Sequence, residues 1–172
     1  VQGSWEEEAG PFFANPPTLG LRGGGAATGS KEAIDTFVPG MIMTLDRTFR
    51  AGEAPDVVFR RLYARIEPHT TRTEARSCKS CHNDPEALGY GRGQLPLERV
   101  SPGVGRWAFV PAAPVLPQDG LPADAWIPFL GIRTGMVSTR DDVRPFNVDE
   151  QRRILTVGAC LTCHDERSPP MQ

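Results

Sequence analysis

All four cysteines of the chain fall into two five-residue segments, Cys78-Lys79-Ser80-Cys81-His82 and Cys160-Leu161-Thr162-Cys163-His164. Each segment places two residues between its thiols and a histidine directly after the second thiol, and the chain holds only 3 histidines in all. On a helical turn, positions i, i+3 and i+4 share one face. Each segment therefore presents two thiols and an imidazole to the same side. No cysteine is left over for a structural disulfide. Any fold that this chain adopts has to display both faces.

Two thiols three positions apart span the two vinyl groups on one edge of a porphyrin, and the adjacent imidazole can swing beneath the ring to the iron. The pattern is that of c-type haem attachment. Two other readings of paired cysteines fit less well. A zinc ribbon usually has about 15–20 residues between its pairs; these pairs stand much further apart, and zinc leaves both adjacent histidines unexplained. Thiol–disulfide exchange needs one reactive pair on a thioredoxin-like scaffold of alternating strands and helices, and the chain offers two pairs and little sign of sheet. The expected cofactors are two haem c groups with their irons, bound by Cys78, Cys81 and His82 at the first site and by Cys160, Cys163 and His164 at the second.

Composition suggests what such groups do for the fold. With 18 glycines and 17 prolines in 172 residues, about a fifth of the chain disfavours regular structure, against about 12% in an average domain. Hydrophobic residues make up 39%. The expected fold is mostly irregular, with a few short helices and minimal β-structure, and with the haems forming the core. The net charge of −2 from 19 basic and 21 acidic side chains argues against a nucleic-acid partner. No apolar run approaches the roughly 20 residues of a membrane-spanning helix. The chain starts at Val1 with neither an initiator methionine nor a charged-then-apolar signal segment, which is expected of a processed chain or a piece of a longer product.

Along the chain, residues Val1–Gly40 read as irregular, with Glu6-Glu7-Glu8 as a solvated charge run. Gly24 and Gly29 have the separation of a phosphate loop, but Ser30-Lys31 is in the wrong order for that motif. Met41-Ile42-Met43-Thr44-Leu45 reads as a short strand. Pro55 opens an expected helix to Ile66, because Val58, Phe59, Leu62, Tyr63 and Ile66 recur at three- and four-residue steps. Thr71 and Glu74 form a capping box for a short helix entering the first cysteine pair. Asn83-Asp84-Pro85 and Gly89-Tyr90-Gly91-Arg92-Gly93 read as turns. Leu95–Pro128 reads as extended chain draped over a hydrophobic body, and Ile127–Val137 as holding one short strand. Asn147 or Asp149 caps a final helix running to His164, with Ile154, Leu155, Val157 and Leu161 on its apolar side. Residues 1–172 are expected to form a single dihaem domain, with approximate halves 41–95 and 96–172 around the two motifs.

On the two motifs and the loop-rich composition, the chain resembles the multihaem c-type cytochromes. Ala75-Arg76-Ser77, Asn83-Asp84-Pro85 and Ala87-Leu88-Gly89-Tyr90-Gly91 are similar to stretches of large bacterial multihaem proteins. The resemblance implies redox protein partners, other haem-bearing subunits or domains, and a multihaem cytochrome-like fold. It also implies an exported bacterial protein, periplasmic or extracellular, because c-type haem is attached outside the bacterial cytoplasm. His82 and His164 are the proximal ligands by the motif. In the resembled proteins a histidine about as far upstream as His69 often ligates the same or a neighbouring haem, so His69 is assigned to the first iron. For the second iron, Met41, Met43 and Met136 are the candidate thioether ligands, with water, an open site or a ligand from a further part of a longer chain as the alternatives; Met171 is close to His164 in sequence, which leaves little chain to cross the ring. Trp107, Trp126, Phe109, Phe129 and Tyr90 are candidate wall residues as well as ordinary core, and Arg72, Arg76 and Arg92 are candidate partners of the propionates.

The function expected from these features is electron transfer, with no catalytic residues assigned. The alternatives are a dihaem enzyme, either a peroxidase or a small-molecule reductase, and a haem-bearing structural subunit of a filament or respiratory complex.

Overall fold

The computed structural model describes residues 18–23, 32–50, 52–66, 77–135, 137, 143–165 and 168–169. Eight strands are described: β1 (Thr18–Arg22), β2 (Ala33–Asp46), β3 (Val57–Arg65), β4 (Gly93–Gln94), β5 (Leu97–Ser101), β6 (Val104–Trp107), β7 (Val110–Pro111) and β8 (Val143–Arg144). Three helices accompany them, α1 (Lys79–His82), α2 (Pro85–Leu88) and α3 (Val148–Cys160). Four strands form one sheet in the order β3-β2-β1-β8, every neighbour antiparallel. Val137 adds a single parallel bridge to Arg61 on the outer edge of β3. β4 pairs with β7, and β5 with β6, as two small ribbons.

This architecture corrects the expectation of an irregular chain with minimal β-structure and haems for a core. The fold is mixed α/β around an antiparallel sheet, and among the described residues only α3 is a helix of seven or more residues. The expected helix from Pro55 to Ile66 is strand β3. Its buried residues are Phe59, Arg61 and Tyr63, a strict alternation of period two. The middle member is an arginine, so a reading of apolar positions alone skips it and picks up the three- and four-residue steps among the rest. The segment before Gly40, expected as irregular, contributes β1 and the first half of β2. The strand expected at Met41–Leu45 lies within β2, which is interrupted by a bulge between Pro39 and Ile42; a proline cannot donate to a ladder and is accommodated at such a break. Among the described residues between Ile127 and Val137 there is no strand, only the single bridge of Val137 to Arg61. The capping box at Thr71–Glu74, the acidic run at Glu6–Glu8 and the glycine-rich stretch at 24–29 lie outside the described residues.

Side chains make the core. One cluster joins Phe37, Tyr63, Leu121, Ala125, Trp126, Val137 and Val143. Trp126 is its centre, with ring centroids 4.9 Å from both Tyr63 and Phe37. Gly20 of β1 makes room for it: a Cβ there would stand 2.6 Å from Trp126 Cζ3 and 2.8 Å from the Arg144 carbonyl. A second cluster joins Leu88, Tyr90, Ile127 and Leu155. The Tyr90 hydroxyl donates to Gln151 Oε1 at 3.0 Å, and Gln151 Nε2 donates to the Phe146 carbonyl at 3.0 Å. The segment from Leu95 to Pro128 thus supplies much of the hydrophobic body over which it was expected to drape.

Arg61 fastens that segment to the sheet. Its Nε and Nη2 donate to the two carboxylate oxygens of Asp119 at 2.6 and 3.1 Å. Nη1 donates to the carbonyls of Ala123 and Ala125, and Nη2 also to that of Leu121. The Ala125 carbonyl accepts from the Tyr63 hydroxyl too. Both charged side chains are 1% exposed. Burial pushes the Tyr63 hydroxyl's pKa upward, against the pull of Arg61. Removing one partner from a buried, hydrogen-bonded pair leaves an uncompensated charge and costs about 3–5 kcal/mol. Arg61→Met is accordingly expected to lower stability by about that amount, read as a fall in the midpoint of urea denaturation.

Candidate functional site

The first motif opens on a turn formed by Cys78 and α1. Cys81 N donates to the Cys78 carbonyl at 3.2 Å, His82 N to the same carbonyl at 2.9 Å, and Ser80 N to the Ser77 carbonyl at 3.1 Å. The Ser80 hydroxyl donates to that Ser77 carbonyl at 2.8 Å. The second motif repeats the arrangement bond for bond. Cys163 N donates to the Cys160 carbonyl at 3.2 Å, His164 N to the same carbonyl at 3.0 Å, and Thr162 N to the Ala159 carbonyl at 3.3 Å. The Thr162 hydroxyl donates to the Ala159 carbonyl at 2.7 Å. Both segments therefore form the helical turn that puts two thiols and an imidazole on one side.

The two turns differ in their surroundings. Cys160 closes α3, a helix capped as its sequence suggests: Asn147 accepts from Glu150 N, and the Glu150 carboxylate accepts from Asn147 N. Gln151, Leu155 and Gly158 form its buried face; Leu161 is buried just beyond it, whereas Val157, expected on the apolar side, is 38% exposed. Arg144 ties the start of the helix to the sheet, donating to both carboxylate oxygens of Glu150 and of Glu32. These bonds hold the Glu32 and Glu150 carboxyls below their ordinary pKa values. Cys160, Cys163 and His164 are exposed; at the first motif Cys78 is exposed, while Cys81 and His82 are half-buried.

The first motif packs against α3, which ends in the second. His82 Nδ1 lies 2.9 Å from the Ile154 carbonyl. A carbonyl only accepts, so the proton of this bond sits on Nδ1, and Nε2 keeps its lone pair in the neutral ring. One residue on, the Leu155 carbonyl accepts from the Trp107 indole at 2.9 Å. Beside His82 and Cys81 opens a pocket of about 300 Å³ lined by Leu19, Leu21, Ile34, Leu88, Phe146 and Ile154, with Glu150 and Arg153 also on its wall. An apolar recess with Cys81 and His82 on its wall, and Cys78 one turn before them, suits a covalently held haem. All four thiols are free, and they do not gather into one cluster; among the described residues no group of three or more His, Cys, Asp or Glu side chains converges on a point.

The remaining expected residues are placed as follows. His69, Met136, Arg72 and Arg76 lie outside the described residues, as does the side chain of Met41. Met43 is half-buried on β2 opposite Arg60; it stands about 30 Å along the strand from Ile34, at about 3.3 Å per residue, and does not line the pocket. Arg92 pairs with Asp124 at 3.1 Å. Trp126 belongs to the sheet core, Tyr90 to the second cluster, and Phe109, Phe129 and Trp107 pack against that cluster. Neither the Ile154 carbonyl nor Gly158 was singled out in the sequence, and Trp107 was expected as a wall residue rather than as a donor to α3. Only Gly158 carried a signal: a glycine inside a helix costs about 1 kcal/mol relative to alanine and marks a close approach.

Helix α2 follows the first motif directly. Asp84 caps it by accepting from Glu86 N and Ala87 N, and Gly89 ends it at φ 91°. Burial pushes the half-buried Glu86 up to about 7, with Asp84 and Asp124 adding to the rise and Arg92 opposing it.

No protein-family model, curated protein or solved structure matches this chain.

The folded-state pKa of Glu86 lies above its ordinary value of 4.5. Between those two values the folded state binds more protons than the unfolded one, so stability falls as pH rises through that window. Glu86→Gln is expected to leave stability near pH 4 almost unchanged and to raise it at pH 8. The gain should fall short of the full shift, because a half-exposed carboxylate is screened. Thermal denaturation of both proteins across that range checks the sign.

Proposed function

We propose that the chain is an electron-transfer domain carrying two covalently bound c-type haems, one at each Cys-x-x-Cys-His turn. One observation carries the reading: two segments far apart in sequence adopt the same hydrogen-bonded turn, and the histidine of the first has its Nδ1 proton held by a backbone carbonyl. A metal-binding imidazole is ordinarily oriented in this way by the partner of its other nitrogen. Cys78 and Cys81 would form the thioethers at the first site and Cys160 and Cys163 those at the second, each thiol adding its sulfur and hydrogen across a vinyl group. His82 and His164 would ligate through Nε2. Each bound haem supplies an iron that exchanges one electron reversibly.

The residues around the first site set the conditions for that exchange. Leu19, Leu21, Leu88, Phe146 and Ile154 exclude water. The Ile154 carbonyl makes the imidazole a stronger donor, and burial and hydrogen bonding are the protein's means of setting a potential. The second site is more open on its protein side and would exchange electrons with redox protein partners or neighbouring haem-bearing domains. His69 remains the proposed second ligand of the first iron, and a methionine that of the second. Attachment of c-type haem places the protein in the periplasm or outside the cell.

Expression of the full chain with c-type haem maturation in a bacterial periplasm, followed by intact mass measurement, should find the chain heavier by two haems. Cys78→Ser/Cys81→Ser and Cys160→Ser/Cys163→Ser should each lose one. A chain that emerges without haem overturns the reading. Low-temperature EPR of the loaded protein should give two distinct low-spin signals, one bis-histidine and one histidine–methionine. Two identical bis-histidine signals would reject the methionine, while a five-coordinate high-spin signal with rapid peroxide turnover would point to an enzyme.

A further inference from the structure

Gly158 is buried on α3 where the first motif meets that helix. A Cβ on it would stand 2.6 Å from Asn83 Oδ1, 3.0 Å from the His82 carbonyl oxygen and 3.5 Å from Trp107 Cζ2. Two of these atoms belong to the end of the first motif and the residue after it. The His82 carbonyl is backbone and has little freedom to move, whereas Asn83 Oδ1 is the end of a side chain and can swing only as far as its buried surroundings allow. The His82 backbone is held by its bond to the Cys78 carbonyl, and Asn83 N donates to the Lys79 carbonyl at 3.0 Å. Asn83 Oδ1 is buried with no hydrogen-bond partner among the described residues. One turn before Gly158, on the same face of α3, the Ile154 carbonyl faces His82 Nδ1 at 2.9 Å. The first motif is therefore seated on one turn of α3 at two points, by its backbone over Gly158 and by its imidazole at Ile154.

We propose that Gly158 is a positioning residue for the first site: its missing side chain lets the motif close on α3 so that His82 Nδ1 reaches the Ile154 carbonyl. That bond selects the imidazole tautomer and raises the basicity of Nε2 toward a metal. Since α3 ends in Cys160, the helix that carries the second site also sets the electronic state of the first. The electrochemical half of this inference rests on the haem reading above; the tautomer half stands without it.

The test has two arms. In the full chain without haem, nitrogen-15 NMR at mildly alkaline pH should find His82 as the Nδ1–H tautomer, and Gly158→Ala should convert it largely to Nε2–H. In the haem-loaded protein, potentiometric titration of Gly158→Ala should show one midpoint potential rising, that of the first haem, with the second moving less. Adding Asn83→Ala, which removes the nearer of the two contacts, should recover part of the shift. An Nε2–H tautomer in the unsubstituted chain overturns the inference, and it does so even if Gly158→Ala fails to fold. Equal shifts of both potentials, or none, overturn it as well. An Nδ1–H tautomer in a chain that never takes up haem would instead sink the haem reading and leave the positioning role intact.

Discussion

A guanidinium carries five N–H donors in a rigid planar fork, and in Arg61 all five are used inside the protein. Such a group is tolerated in a core only when its charge is paired and every donor is met. Meeting them here recruits a carboxylate and three carbonyls from one stretch, Asp119 to Ala125. That stretch is thereby held across the face of β3, and Trp126 follows it directly into the space above Gly20. Trp126 N and Ile127 N then donate to the Gly89 carbonyl at 2.7 and 3.0 Å, which fixes the end of α2. The first Cys-x-x-Cys-His turn stands immediately before that helix. A single buried cation on the sheet thus leads, through a loop and a tryptophan, to the position of the candidate site.

The abundant glycine and proline acquire a different meaning from the one composition suggests. They do not mark a chain that must wrap a large cofactor to gain a core. Gly20 lets a tryptophan approach a strand, and Gly89 at φ 91° closes a one-turn helix. Pro39 precedes a bulge that interrupts a long strand. Side chains close the core in two clusters, and the proposed haems would sit at the margins of this body. The first would occupy a recess walled by β1, β2, the first motif with α2, and α3, and the second would sit at the open end of α3.

That geometry makes the two sites unequal while leaving their local chemistry alike. Each turn orders its own thiols and histidine by the same four hydrogen bonds. What surrounds them differs: apolar walls and a braced imidazole at the first, exposed side chains at the second. The helix between them is anchored at its start by Arg144, which holds Glu32 and Glu150 together, and it receives the first motif one turn before it delivers the second.

Local chemistry was legible in the sequence. The cysteine and histidine spacing identifies both turns, Asn147 and Glu150 announce the start of α3, and the strand character of Met41–Leu45 shows in its alternation. These depend on residues within a few positions of one another, where spacing alone decides geometry. What spacing could not decide was which polar residues are buried. Arg61 reads as surface and is core, so β3 looks like a helix until its partners, more than fifty residues away, are in place. The pocket beside His82 is built from four segments, and the Ile154 carbonyl is a backbone atom that no side-chain pattern reveals. The motifs themselves follow from the sequence alone, whereas the wall, the brace and the unequal exposure of the two sites arise only when segments distant in sequence pack, because burial and a carbonyl's reach depend on which segments meet.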